Sequence, residues 1–212
     1  SCTPTDTCQA GVCTGSAVAD GTACDDGNAC SPLTENCRTG LCAASVSFTT
    51  GYTSAPGSNG TKSIAIRDLN GDGKLDLAVV YGGGKVYIKL GDGTGGFSTA
   101  AGSPVTVGTN PFSVEVGDWN GDGRPDLAVV NNTSNNVSIL MGNGAGGFSQ
   151  VGSPITVGHT PECVAAGDWN RDGKLDLAVG NQSNPVSSTT ILLGNGDATF
   201  TEAAGSPISV GA

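Results

Sequence analysis

One segment of the chain recurs three times at a fixed interval, and that constrains the fold more than any other feature. DLNGDGKLDLAVV begins at Asp68, DWNGDGRPDLAVV at Asp118 and DWNRDGKLDLAVG at Asp168, 50 residues apart each time. Other signposts keep step with it. LGDGTGGF ends at Phe97, MGNGAGGF at Phe148 and LGNGDATF at Phe200, while GSPVTVG, GSPITVG and GSPISVG begin at Gly102, Gly152 and Gly205. Self-similarity at this period belongs to propellers and solenoids, whose units fold alike and bury their apolar faces on one another.

Within a repeat the apolar residues alternate with period two. Ile64 and Ile66 alternate with Ala65 and Arg67, Val86, Ile88 and Leu90 with Tyr87 and Lys89, and Val114 and Val116 flank Glu115, as Val137 and Ile139 flank Ser138. Period two is the strand signature. The LAVV runs are short and continuously apolar, which suits an inner strand buried on both faces. Gly, Asn and Asp clusters between the runs supply turns. The expected fold is all-β: three repeats of about 50 residues, each a propeller-type blade of four short antiparallel strands. GSPISVGA at the end of the chain reads as the first strand of a fourth repeat.

Residues 1–42 are a different kind of chain. They hold Cys2, Cys8, Cys13, Cys24, Cys30, Cys37 and Cys42 and few large apolar side chains, so a buried core cannot offset their ordering entropy. The expectation is a small module stapled by disulfides, in an oxidising compartment. Zinc is the other option, but its sites usually carry Cys pairs more closely spaced than these. CQAGVC (8–13) matches CRTGLC (37–42) and Cys2 matches Cys30, leaving Cys24 without a counterpart. Either the sequence starts inside a module that a longer precursor continues, or the segment is a one-off knot. Seven Cys cannot all pair among themselves, so Cys163 or a Cys elsewhere is a candidate partner. The expected division is therefore 1–42 and 43–212.

The pattern that carries chemistry is Asp-x-Asn-x-Asp-Gly-x-x-Asp. Its candidate ligands are Asp68, Asn70, Asp72 and Asp76; Asp118, Asn120, Asp122 and Asp126; and Asp168, Asn170, Asp172 and Asp176. Oxygens at positions 1, 3 and 5 can wrap a hard cation, position 7 adds a backbone carbonyl (Lys74, Arg124, Lys174), and Gly at position 6 permits the sharp turn. An EF-hand would close with Glu at position 12. Here that position is Val79, Val129 or Val179, so the closing carboxylate is expected from the Asp at position 9. Oxygen-only ligands in a flexible loop favour Ca²⁺ over Mg²⁺. The expectation is about three structural Ca²⁺ ions. Nine of the 19 acidic residues lie in these loops, and three Ca²⁺ would bring the formal charge from -10 to -4.

These loops, with the GGF…GSP segments, resemble the FG-GAP/VCBS repeat family over about residues 43–212. The resemblance implies a β-propeller blade with the cation loop between its first two strands, as in integrin-like heads and many secreted bacterial surface proteins. Two departures stand out: Asn at position 3, where the family often has Asp, and Arg171 in place of Gly at position 4, expected to point outward. Residues 1–42 resemble, more loosely, Cys-rich modules of large secreted bacterial proteins.

Closed propellers need four to eight blades, so three are too few. The chain can continue and close a ring, several chains can pool blades, or blades can run from chain to chain as a filament. An assembly through exposed blade edges is the favoured reading. Trp119 and Trp169, where the first repeat has Leu69, are expected between blades, with sugar stacking the minority role; His159 is expected at the surface. Asn59, Asn131, Asn132, Asn136 and Asn181 begin Asn-x-Ser/Thr sequons and are possible glycosylation sites.

Function classes narrow accordingly. Nine Lys and Arg against 19 Asp and Glu make no basic face for nucleic acid. No apolar run reaches the roughly 20 residues of a membrane-spanning helix, and no signal peptide heads the sequence, so an export signal is expected to have been removed or to lie outside it. With one His and no recognisable nucleophile–base pair, no enzymatic activity is expected. The leading expectation is a secreted, calcium-stabilised structural or adhesive surface protein, a subunit of an extracellular assembly or filament. The alternatives are a carbohydrate-binding, lectin-like propeller, with a glycan or cell-surface ligand, and an accessory module of a larger secreted protein.

Overall fold

A computed structural model of the chain describes residues 60–182 and 186–210 and, as backbone alone, five short strands before residue 44. The chain divides into two compact units, Ser1–Tyr52 and Thr53–Ala212. The expected boundary near residues 43–47 falls at the edge of the described residues.

The first unit contains β1 (Thr7–Gln9), β2 (Val12–Thr14), β3 (Ala23–Cys24), β4 (Glu35–Arg38) and β5 (Leu41–Ala43), in one antiparallel sheet ordered β1-β2-β5-β4-β3. The two matching Cys segments form two hairpins, with Cys8 opposite Cys13 and Cys37 opposite Cys42. The hairpins join through equivalent positions, Val12 opposite Leu41. The pairing expected of the seven Cys lies outside the described residues.

In the second unit each 50-residue repeat is one antiparallel sheet. Blade 1 holds β6 (Thr61–Arg67), β7 (Asp76–Tyr81), β8 (Lys85–Gly91), β9 (Phe97–Thr99) and β10 (Val105–Thr106). Blade 2 holds β11 (Pro111–Gly117), β12 (Asp126–Asn131), β13 (Asn136–Gly142), β14 (Phe148–Gln150) and β15 (Ile155–Thr156). Blade 3 holds β16 (Pro161–Gly167), β17 (Asp176–Asn181), β18 (Ser188–Gly194), β19 (Phe200–Glu202) and β20 (Ile208–Ser209). No helix occurs among the described residues, so the all-β, propeller-type expectation holds. The fourth strand of each blade is broken in two. In blade 1, β9 pairs with one end of β8, at Lys89–Gly91, and β10 with the other, at Lys85–Val86. At the break, the Ile88 N–H donates to Ser103 Oγ (2.9 Å), as the Ile191 N–H does to Ser206 Oγ (3.0 Å). The serine of the GSP segment thereby replaces a lost ladder bond. This corrects the reading of GSPISVGA: Ile208–Ser209 pairs back onto β18 and completes blade 3 rather than opening a fourth.

The apolar cores lie between blades. Strand side chains alternate between faces, so each blade has a trailing face turned toward the next blade and a leading face turned toward the one before. Leu69, Ala78, Val80, Val86 and Ile88 on the trailing face of blade 1 pack against Val114, Leu127, Val129 and Leu140 on the leading face of blade 2. Trp119, Ala128, Val130, Val137 and Ile139 then pack against Val164, Leu177, Val179 and Leu192 of blade 3. The first strands β6, β11 and β16 run side by side, and β12, covered by a blade on each side, is buried along its whole length. Each first strand carries a bulge near its start, between Thr61 and Ser63, Pro111 and Ser113, and Pro161 and Cys163.

Candidate metal centre

The repeated Asp-rich segment is the turn from the first to the second strand of every blade, the place the resemblance implied. Residues 68–75 connect β6 to β7, 118–125 connect β11 to β12, and 168–175 connect β16 to β17. The turn is organised by its first carboxylate. Asp68 Oδ1 accepts the N–H of Gly71 (2.7 Å) and of Asp72 (3.2 Å), and Oδ2 accepts the N–H of Gly73 (2.7 Å). Asn70 Oδ1 then takes the Asp72 N–H (3.0 Å), and Asp72 Oδ1 the Lys74 N–H (2.9 Å). Asp118, Asn120 and Asp122 repeat these contacts on Gly121, Asp122, Gly123 and Arg124, and Asp168, Asn170 and Asp172 on Asp172, Gly173 and Lys174. Gly71 and Gly73 take left-handed φ of +78° and +82° to bring those N–H groups onto one side chain. For three of these acids the N–H donors favour the ionised form. Asp68 lies below the ordinary carboxylate range, chiefly through Gly73 N–H, and so do Asp72, through Lys74 N–H, and Asp122, through Arg124 N–H.

The acid at position 9 closes the loop from the second strand. Asp76, Asp126 and Asp176 are buried at the first residue of the second strand. Asp76 Oδ2 accepts the Leu69 N–H and Oδ1 the Gly91 N–H, both at 2.8 Å. Asp126 does the same for Trp119 and Gly142, and Asp176 for Trp169 and Gly194. Each therefore ties the start of the loop to the end of the third strand. Gly91, Gly142 and Gly194 are site residues that ligand logic missed. A Cβ on them would stand 2.2, 2.0 and 2.1 Å from the carbonyl oxygens of Leu75, Pro125 and Leu175, so only Gly lets the strand come this close. The signal was present in the repeat, as the first Gly of LGDG, MGNG and LGNG.

Does this frame suit a cation? Every side-chain donor is oxygen, the chemistry of a hard divalent ion. Burial raises the pKa of Asp126, and the charges of Asp122 and Asp118 raise it further. The acids of that loop thus repel one another at close range, a cost that a divalent ion reverses. Among the described residues no three acidic, His or Cys side chains already converge as a cluster. The exposed Asp72 and Asp122 instead reach toward Lys74 Nζ (3.4 Å) and Arg124 Nη1 (3.9 Å). The chemistry of the donor set fits a cation, and Asp72, Asp122 and Asp172 stand at the exposed side of their loops. Asp68, Asn70, Asp72, the Lys74 carbonyl and Asp76, with their equivalents in the other two loops, would hold it.

The other sequence candidates scatter. Trp119 is buried against Phe200 of blade 3, ring centroids 6.0 Å apart, while Trp169 is 48% exposed. His159 and Arg171 are exposed, as is Cys163, a free thiol. Asn131 and Asn181 are buried, donating to Ser138 Oγ (3.0 Å) and Thr190 Oγ1 (2.9 Å), so these two sequons are not on the folded surface. Asn132 donates to the Pro161 carbonyl and Asn136 accepts from Asn131; Asn59 lies outside the described residues.

Fold and loop together define an all-β repeat protein of propeller-type blades with an acidic turn in each blade. The profile of the FG-GAP-like repeat matches residues 68–129 and 118–179, more than half of the 212 residues, and the chain belongs to that family. Repeats of this family generally occur in extracellular or surface proteins, in structural or adhesive rather than catalytic roles. Comparison with curated proteins finds no match. Among the described residues no helix is long and apolar enough to cross a membrane.

Proposed function

We propose that the protein is a secreted, calcium-stabilised structural or adhesive surface protein whose blades assemble beyond the single chain. The observation that carries the reading is the recurrence of one loop, three times, with its carboxylates gathered on backbone N–H groups and its outer acids exposed. A turnover site would be built once; a structural ion belongs to the repeat. Bound calcium would supply positive charge among three or more oxygens and neutralise their repulsion. The chain's part is to hold those oxygens between two strands, so that ordering the loop also fixes the first strand, against which neighbouring blades pack.

An ion bound by the folded state alone stabilises it by mass action, about 2.7 kcal/mol per site at a hundredfold excess over Kd. Calcium should therefore raise the melting temperature, and EDTA should lower it by several degrees. The measurement is differential scanning calorimetry of the full chain in each condition. A melting temperature indifferent to EDTA refutes the calcium reading.

A further inference from the structure

Each end of the blade array presents a face that an internal blade would bury. On the leading face of blade 1, Ile64 and Ile66 are 52% and 60% exposed, whereas the equivalent Val114 and Val164 lie beneath the preceding blade at 6% and 9%. On the trailing side of blade 3, Trp169 stands open, whereas Leu69 and Trp119 are covered by the outer hairpin of the blade that follows. There the Gly146 N–H donates to the Leu69 carbonyl (3.2 Å) and the Ala198 N–H to the Trp119 carbonyl (2.9 Å).

We propose that these two faces bind each other: the leading face of blade 1 docks on the trailing face of blade 3 of a second copy of this chain. The inference rests on the reading of the protein as an assembly and names its junction.

Three observations select a second copy. The first is size. The leading face of blade 1 is bulkier than its internal equivalents, with Tyr81 and Tyr87, in edge contact at 6.1 Å, where blades 2 and 3 have Asn131 and Ser138, Asn181 and Thr190. The trailing face of blade 3 is slighter, with Gly180 and Thr189 where blade 2 has Val130 and Val137. Volume added to one end is removed from the other, as close packing across the junction requires.

The second is charge. The bulge position of the first strand is Lys62, Phe112 and Glu162 in successive blades. Lys62 Nζ lies 4.8 Å from the centroid of the Phe112 ring, so bulge residues of adjoining blades meet. One more step of the repeat sets Glu162 against Lys62 of the next copy. The ends agree with that pair: residues 60–107 hold five Lys and Arg against four Asp, and residues 160–210 hold two against six Asp and Glu. Opposite fields steer such ends together and disfavour the reversed arrangement.

The third is a donor in the right place. Gly95 is the blade 1 equivalent of Gly146 and Ala198, and its φ of +100° lies in the left-handed region with theirs, +79° and +64°. Its N–H would meet the Trp169 carbonyl of the neighbouring copy as theirs meet Leu69 and Trp119.

A junction between unlike faces is heterologous, so it closes a ring or continues as a fibre. Two copies bring six blades, within the four to eight of closed propellers.

The test is sedimentation velocity of the full chain in calcium across concentrations. Association is expected, weakened about tenfold by Lys62→Glu or by Glu162→Lys and restored when both are combined. Both residues lie on strand surfaces, and circular dichroism checks that the variants fold. Ile64→Asp/Ile66→Asp and Trp169→Glu block opposite ends, so each chain alone should be monomeric and their mixture should form a one-to-one heterodimer and nothing larger. A parent that is monomeric at every concentration, a charge swap that restores nothing, or a mixture that stays monomeric overturns the proposal. Chelation keeps the two readings apart. Restored assembly by the charge-swap pair in a chain whose melting ignores EDTA supports the junction and refutes the ion, whereas EDTA-sensitive melting of a strict monomer does the reverse.

Discussion

Arg171 is the residue at which the third loop breaks its own pattern. Gly71 and Gly121 hold φ of +78° and +74° at this position, and Arg171 is held at +61°. An L side chain there costs roughly 1–2 kcal/mol, while the greater freedom of Gly in the unfolded chain takes back about 0.4–1 kcal/mol. Arg171→Gly should therefore raise stability by about 1 kcal/mol, measured by urea denaturation, and a loss would show that the side chain earns its place by a contact. The acids of one loop also separate at this scale. Asp126 is buried on two backbone N–H groups, so Asp126→Ala strands both donors and should cost about 2–5 kcal/mol with or without calcium. Asp122 is exposed and supports only the loop. Asp122→Ala should leave the EDTA-treated protein melting near its parent and reduce the calcium-dependent rise. Equal effects of the two substitutions under chelation would refute this division of labour.

At the scale of the element, the blade shows why a strand can be short and still be specified. β12 carries apolar side chains on both faces because a blade lies on each side, and its register with β13 places Leu127 opposite Leu140. Leu127 is fully buried between blades 1 and 2. Leu127→Ala should cost about 2–5 kcal/mol, the range for a buried leucine. Because the cores are shared between blades, the loss should lower one common transition rather than detach a single blade. Calorimetry that resolves a separately melting blade would contradict this. The outermost strand obeys a looser rule: it is broken, and the serine of the GSP segment bridges the break in blades 1 and 3. Sequence periodicity registers the long strands, but a pair such as Ile208–Ser209 is too short to show a period, and only its pairing with β18 assigns it to blade 3.

Among the described residues, three blades in a row leave two unlike faces, and several residues that depart from the repeat lie on them. Tyr81, Tyr87, Ile64 and Lys62 sit at one end, Gly180, Thr189, Trp169 and Glu162 at the other. Departures of that kind are noise within a single repeat and become informative only when the blades are stacked. The proposed junction makes them functional, and its charge-swap test belongs to this scale because no single blade contains both partners.

The repeat, the all-β class and the acidic turn are legible in the residues alone, whereas the place of that turn between the first two strands came from the family resemblance. The first three follow from local periodicity and from residue types whose backbone preferences act within a few residues. Tertiary structure decided what depends on contacts between distant segments. It placed Asp76, Asp126 and Asp176 on the N–H groups of Gly91, Gly142 and Gly194 at the far ends of other strands. It also buried Trp119 while leaving Trp169 open, although the two stand in nearly identical sequence. Burial is a property of what lies opposite, and for Trp169 no further blade of the described chain lies there.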